Sequence, residues 1–211
     1  MQKFIEKKIS HNRKFVNQLK KFLKKIKYNP EHWIRYPTYK LIKEEILRLQ
    51  PEKLNALEIS AGEYWKNNYK FKSFEALNFP SHDICGNLEL SKKYDLIIAD
   101  NVWEHLKYPY RATRNVHSLL NDGGYFLIIV PFLVRIHKVP IDCTRWSPDG
   151  LKYFLHDCGF KFENIKIDSW GNKDCVISNL RKDDTWTRIG FHKNLKNDKD
   201  FPVQTWAIVK K

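Results

Sequence analysis

The stretch Tyr94-Asp-Leu-Ile-Ile-Ala-Asp-Asn-Val-Trp-Glu-His-Leu106 decides the fold class. An apolar run from Tyr94 to Ala99 reads as a strand buried on both faces, and it opens directly into the polar pair Asp100-Asn101 and then Glu104-His105. Polar side chains gathered at the carboxyl end of a buried parallel strand are the signature of a ligand cleft in an open α/β sheet. Downstream, Pro109 to Leu120 has helical spacing with proline in the first turn, Asn121-Asp-Gly-Gly124 reads as a stop and turn, and Tyr125 to Val130 is a second buried strand.

Upstream, Leu54 to Ile59 predicts a strand followed by the turn Ser60-Ala61-Gly62, and Phe71 to Leu77 predicts another. Thr38 to Leu49 is an apolar-periodic helix closed by Pro51. Ser147-Pro-Asp-Gly opens a capped helix that Gly159 stops, and Phe162 to Asp168 and Val203 to Val209 are the last strands. Strands alternating with helices give a doubly wound, mainly parallel α/β sheet covered on both faces, a three-layer α/β/α domain over residues 31–211. Residues 170–200, polar and rich in Lys and Asn, read as an inserted loop or lid.

Composition narrows the class. With 211 residues, 42% hydrophobic and 29% charged, one domain with a full core is expected. No apolar run approaches the ~20 residues of a bilayer-spanning helix, and the basic N-terminus has no secretory h-region, so a cytoplasmic protein is expected. The four cysteines are widely spaced, without zinc-site patterning, and read as reduced, small buried hydrophobes.

The net charge of +14 is concentrated at one end: residues 1–28 hold ten Lys/Arg against the single acid Glu6. Phe15, Val16, Leu19, Phe22, Leu23 and Ile26 fall on one helical face among lysines, so residues 1–30 read as a basic amphipathic helix. Three uses remain open: packing on the domain or on a twin subunit in a homodimer, contact with an anionic membrane surface, and a nucleic-acid arm. The rest of the chain is only mildly basic, which argues against nucleic acid as the main partner.

From Leu54 to Phe160 the chain resembles a class I S-adenosylmethionine-dependent methyltransferase, with a Rossmann-like fold. The likeness rests on Asp95 through Leu106, on Pro109-Tyr-Arg-Ala-Thr-Arg-Asn-Val116 and on Asp122-Gly-Gly-Tyr-Phe-Leu-Ile128. His137-Lys-Val-Pro-Ile-Asp-Cys-Thr-Arg-Trp-Ser-Pro-Asp-Gly-Leu151 is similar to small-molecule enzymes of the methyltransferase type 11 kind found among surface-glycan genes, and the similarity extends through Phe201 to Ala207.

The resemblance implies S-adenosylmethionine as cofactor, with Glu58, Ser60, Ala61 and Gly62 around its methionine part, Asn78 at the ribose, Asp83 and Ile84 at the adenine, and Asp100 and Asn101 near the transferable methyl. The chain departs from the family pattern at Ser60 and Tyr64, which stand where glycines are usual, and at Asn78, which stands where an acid is usual. Asp100-Asn-Val-Trp103 also differs from the Pro-Pro-aromatic signature of nucleobase-amine enzymes.

A hydroxyl acceptor must lose a proton, so His105 and His137 are the candidate bases, with Asp142 orienting an imidazole. Arg145 and Trp146 suit an anionic or sugar acceptor. His105, His137 and Asp142 are also metal-ligand types, but their spacing does not place them on one element, and no metal is expected. The expected activity is O-methylation of a sugar or glycan precursor. The alternatives are an RNA-directed enzyme and a non-catalytic binding module with a degenerate cofactor loop.

Overall fold

The computed structural model describes residues 33–87, 92–138, 140–180 and 194–211. The expected basic helix over residues 1–30 lies outside them. The elements, in chain order, are α1 (Arg35–Arg48), β1 (Asn55–Ile59), α2 (Tyr64–Asn68), β2 (Ser73–Leu77), β3 (Tyr94–Asp100), α3 (Pro109–Leu119), β4 (Leu120–Pro131), α4 (Pro148–Asp157), β5 (Ile165–Trp170), α5 (Lys173–Leu180) and β6 (Gln204–Lys210).

The six strands form one sheet in the order β2-β1-β3-β4-β6-β5. The neighbours from β2 to β4 pair in parallel, and β6 enters antiparallel between β4 and β5. Strand order turns outward in opposite directions from β1 and β3, which leaves a crevice at their carboxyl ends.

Strand alternation sends side chains to two cores. On one face Leu57, Ile59, Ile97, Ala99, Phe126, Ile128 and Val130 meet the apolar stripes of α3 (Ala112, Val116, Leu119) and α4 (Leu151, Phe154, Leu155). On the other, Ala56, Leu96, Ile98, Leu127, Ile129 and Trp206 meet Tyr39, Ile42 and Ile46 of α1. Glu58 follows Ala56, and Asp100 follows Ile98, by two residues, so both carboxylates project on the α1 side.

Several boundaries differ from the sequence expectation, each for a local reason. The first helix begins at Arg35, not Thr38, because Pro37 fits its first turn and the Thr38 hydroxyl donates back to the Ile34 carbonyl (2.9 Å) instead of capping. Asn121 to Gly124 does not end an element: β4 runs through it. Gly123 takes φ +78°, the pairing register shifts between Tyr94 and Leu96, and a Cβ on Gly124 would lie 2.9 Å from the Asn121 carbonyl and 3.1 Å from that of Tyr94. The two glycines thus absorb a bulge inside the strand. Asp95 fastens this region, accepting from Asn121 Nδ2 (2.7 Å) and from the backbone and side-chain N–H groups of Asn55 (2.9 and 3.0 Å).

β5 begins at Ile165 because Phe162, in a short 3-10 turn, packs on Tyr153 with ring centroids 5.4 Å apart. The 170–200 region contains the helix α5, and its described return, 194–199, runs back beside its start. The Gly171 N–H donates to Asn197 Oδ1 (2.9 Å), its carbonyl accepts from Asp198 N (2.7 Å), and Val203 N reaches the Trp170 carbonyl (2.9 Å). A Cβ on Gly171 would lie 2.0 Å from the Phe201 carbonyl oxygen, so only glycine permits this crossing. Trp33, Ile34, Trp170, Cys175 and Val203 form a third small core beneath it.

Cys85, Cys158 and Cys175 are buried free thiols, as expected of small hydrophobes, whereas Cys143 is exposed. No helix among the described residues is long and apolar enough to cross a membrane.

Candidate active site

A cavity of about 770 Å³ opens at the carboxyl ends of β1, β2 and β3. Of the residues expected to bind cofactor, Glu58, Ser60, Gly62, Asp83, Ile84, Asp100 and Asn101 line it. So does His105, together with Pro140 and Ile141 of the following loop.

Glu58, at the end of β1, is 2% exposed. One carboxylate oxygen accepts from Gly62 N (3.1 Å), and the other is buried with no hydrogen-bond partner. Burial pushes this carboxyl up to about 7; the Gly62 N–H offsets part of the rise and the charge of Asp100 adds to it. An orphaned buried carboxylate oxygen in a cavity wall fits a cationic ligand group.

Ser60 adopts φ +54°, the left-handed region that a glycine would occupy more easily. The turn is held from outside: Asn78 Oδ1 accepts from Ala61 N (2.9 Å). Neither Asn78 nor Ala61 is among the residues that line the cavity, and the Asn78 side-chain oxygen is engaged by this brace. Glu75, three residues earlier in β2, is bound by Tyr94 Oη (2.8 Å) and by Lys92.

Both carboxylate oxygens of Asp100 accept from protein groups. Tyr39 Oη (2.6 Å) and Trp65 Nε1 (3.1 Å) donate to one oxygen, and Asn101 Nδ2 (2.7 Å) donates to the other. Asn101, at φ +55°, accepts in turn from Gln204 Nε2 (2.8 Å). Burial and the Asp100 charge hold the Tyr39 phenol protonated, above its usual range. Tyr64, the residue in a glycine position, lies flat on Tyr39 with centroids 4.0 Å apart, and both rings line the cavity.

At the far end Asp83 uses one carboxylate oxygen to accept from Cys85 N (2.8 Å), and Ile84 is buried. Asn115 of α3 donates to the carbonyls of both Ile84 and Gly86 (2.8 Å each), which fixes this loop.

The loop after β4 brings the histidines together. Cys143 N (2.7 Å) and Thr144 N (3.3 Å) donate to the Glu104 carbonyl, hanging the loop on the turn after β3. The His105 and His137 rings meet edge to face, 5.1 Å apart. The Glu104 carboxylate sits between them, 3.5 Å from His105 Nε2 and 3.8 Å from His137 Nε2. It is fully buried, with neither oxygen in a hydrogen bond. Burial pushes Glu104 up to about 8, the Arg145 charge offsetting part of that rise and the charges of Asp100 and Asp142 adding to it. His105 Nδ1 lies 2.5 Å from the Ile141 carbonyl, so it carries the proton and leaves Nε2 with a lone pair.

Asp142 does not reach the cavity; it organises the loop. It accepts from His137 N (2.8 Å), lies 3.5 Å from His137 Nδ1 and binds Arg145 through both oxygens. Despite burial, the Arg145 and His137 donors hold its carboxyl below the usual range. Burial lowers His137, reinforced by Arg145 and His105, so its imidazole is neutral near pH 7. Arg145, expected at the acceptor, is thus engaged by Asp142. Trp146 is 7% exposed, packs on Phe154 (5.0 Å) and faces a separate shallow hollow beside α4.

Sequence reasoning missed Arg35, Tyr39 and Phe79, which also line the cavity. The exposed Phe79, 74% accessible at the mouth, could have been noticed as an aromatic with no core to join. Arg35 and Tyr39 carry no motif and reach the site only because α1 packs across the sheet.

Comparison with known proteins agrees with this arrangement. A family model described as a methyltransferase domain matches residues 21–165. A stretch of 74 residues is 34% identical to the highly reducing polyketide synthase GPY1 of Gibberella fujikuroi; it is 34% of this chain and spans only 3% of that synthase. Among solved structures, an S-adenosylmethionine-dependent methyltransferase from Thermotoga maritima aligns over 84% of this chain and 95% of its own, at 13% identity and TM-score 0.54. One from Archaeoglobus fulgidus aligns over 90% and 98%, at 15% identity and TM-score 0.51. The 1,6-didemethyltoxoflavin-N1-methyltransferase of Burkholderia thailandensis aligns over 83% and 78%, at 12% identity and TM-score 0.53. With the family model covering more than half its length and a cavity at the switch point of the sheet, the chain belongs to the methyltransferase-domain family: it is a class I enzyme whose cofactor is S-adenosylmethionine.

Proposed function

We propose that this enzyme methylates oxygen on a small hydroxylated acceptor, a sugar or a nucleotide- or lipid-linked glycan precursor. The observation that carries the reading is the pair of imidazoles, 5.1 Å apart, around buried Glu104, of which His105 lines the cavity. A hydroxyl nucleophile has to give up its proton, and a neutral imidazole is suited to accept it.

The residues present fit S-adenosylmethionine, which when bound supplies a methyl group on a sulfonium. Orphaned Glu58 Oε2 would take the ammonium, and Arg35 the carboxylate, of the methionine part. Asp83 offers an acceptor to the adenine amine, with Ile84 and Leu77 as apolar cover. Phe79 and Tyr108 at the rim would limit water.

His137, neutral and positioned by Asp142, and His105, with its Nε2 lone pair turned inward, are the groups that would receive the acceptor proton. Binding of the acceptor in line at ~3 Å supplies much of the remaining rate.

The test is methyl transfer from S-adenosylmethionine to nucleotide sugars and to polyprenyl-linked sugars. His137→Ala and His105→Ala are each expected to lower kcat by ~100-fold or more, with the dissociation constant for S-adenosylmethionine nearly unchanged. Full turnover in both variants would remove the proton-acceptor assignment.

A further inference from the structure

Glu104, His105 and His137 present one ligand atom each, all within 4.8 Å of one another. We propose that these three side chains form a binding site for a divalent cation of the zinc class, with one coordination position open. Ligands of a tetrahedral site with bonds of ~2.1 Å stand roughly 3.4 Å apart. The distances from Glu104 Oε1 to the two Nε2 atoms, 3.5 and 3.8 Å, are close to that spacing.

The independent sign is Glu104 itself. A fully buried carboxylate with both oxygens outside any hydrogen bond is a group waiting for a positive partner. The supporting groups also match what metal-bound imidazoles require. Ile141 carbonyl takes the Nδ1 proton of His105, which fixes the tautomer with Nε2 inward. His137 Nδ1 lies 3.3 Å from Arg145 Nη2 and 3.5 Å from the Asp142 carboxylate, which also accepts from the His137 backbone N–H.

Three protein ligands with the fourth position free is the pattern of sites that bind a water or substrate oxygen. His105, one of the three, belongs to the cavity wall, which puts the site beside the cavity. The binding stands on the geometry of these side chains alone; only the service of the cation to an acceptor hydroxyl rests on the function proposed above. With a cation seated, both imidazoles would be ligands in place of proton acceptors, and a hydroxyl held at the open position would lose its proton to solvent.

The experiment uses the full chain, freed of metal by a chelator and then dialysed against Zn²⁺, with metal content and Co²⁺ absorption as readouts. About one equivalent of Zn²⁺ is expected, together with the intense visible bands of four-coordinate Co²⁺. Glu104→Gln and His137→Ala should each lose the stoichiometric cation and the bands. Asp142→Asn, which spares the ligands, should weaken binding ~10–100-fold. His156→Ala, on α4 away from the cluster, should bind as the parent does. Circular dichroism verifies that each variant is folded.

Equal uptake by the parent and by Glu104→Gln, or no uptake by the parent, overturns the cation site. Calorimetry with S-adenosylmethionine on the same samples separates the two ideas. Cofactor binding without zinc uptake sinks the cation and spares methyl transfer, whereas zinc uptake without cofactor binding does the reverse.

Discussion

Glu58 holds one oxygen on the Gly62 N–H and leaves the other bare, and its carboxyl is raised from 4.5 to about 7. An acid with a raised pKa in the folded state contributes stability below its unfolded pKa and loses it as pH climbs through the folded one. The window is therefore roughly pH 4.5 to 7, and the loss is on the order of 3 kcal/mol. Glu58→Gln should make the cofactor-free protein more stable than the parent above pH 7 in urea titrations, with little difference near pH 4. Because the ionised form suits an ammonium, the parent should bind S-adenosylmethionine more tightly at pH 8 than at pH 6, releasing a proton, and Glu58→Gln should bind weakly at both. A flat pH dependence in the parent would mean the ammonium sits elsewhere. Ser60 at φ +54° gives a second test. Relief of the left-handed strain, about 1 kcal/mol, nearly cancels the extra freedom glycine gives the unfolded chain. Ser60→Gly should thus change stability by less than about 1 kcal/mol, with cofactor affinity maintained; a large loss of affinity would make the hydroxyl a ligand.

At the scale of the element, α4 shows a sequence signal meeting its structural purpose. Ser147 Oγ accepts from Gly150 N (3.1 Å), Pro148 occupies the first turn, and Gly159 at φ +106° ends the helix. Ser147→Ala should cost about 1 kcal/mol by denaturant unfolding, without moving the cofactor dissociation constant. Local signals of this kind made β1, β3, α3 and α4 readable from the chain alone, because continuous apolar runs and caps act within a few residues. The same signals misled at Asn121 to Gly124, where two glycines bulge a strand that the neighbouring Asp95 hydrogen bonds keep paired. The site was readable where a strand runs into its own turn, as at Glu58, Asp100 and His105. It was not readable where a distant element decides: Arg35 and Tyr39 arrive on α1, and Asn78 is claimed by Ala61 across the turn. Arg145 had the right chemistry for an acceptor, but Asp142, three residues away, engages both of its terminal nitrogens.

For the whole molecule, the cavity wall draws on distant parts of the chain: strand ends, α1, and Pro140 and Ile141 of the loop hung on the Glu104 carbonyl. With packing on the domain or on a twin subunit and a nucleic-acid arm as the other uses its sequence leaves open, we propose that the basic segment 1–28 meets an anionic membrane surface. A chain beginning at His32 should therefore bind S-adenosylmethionine as the full chain does, yet no longer sediment with anionic liposomes; equal sedimentation of the two would rule the membrane contact out. The crossing at Gly171 has a consequence of another kind. It clamps the two feet of the 172–200 excursion together at the border of β5 and β6, with Cys175 of α5 packed beside Trp170 at that base. Such a base is a natural graft point: lineages could exchange the excursion for one of different length, and engineers could swap it, while the nucleoside half of the enzyme carried on unaltered.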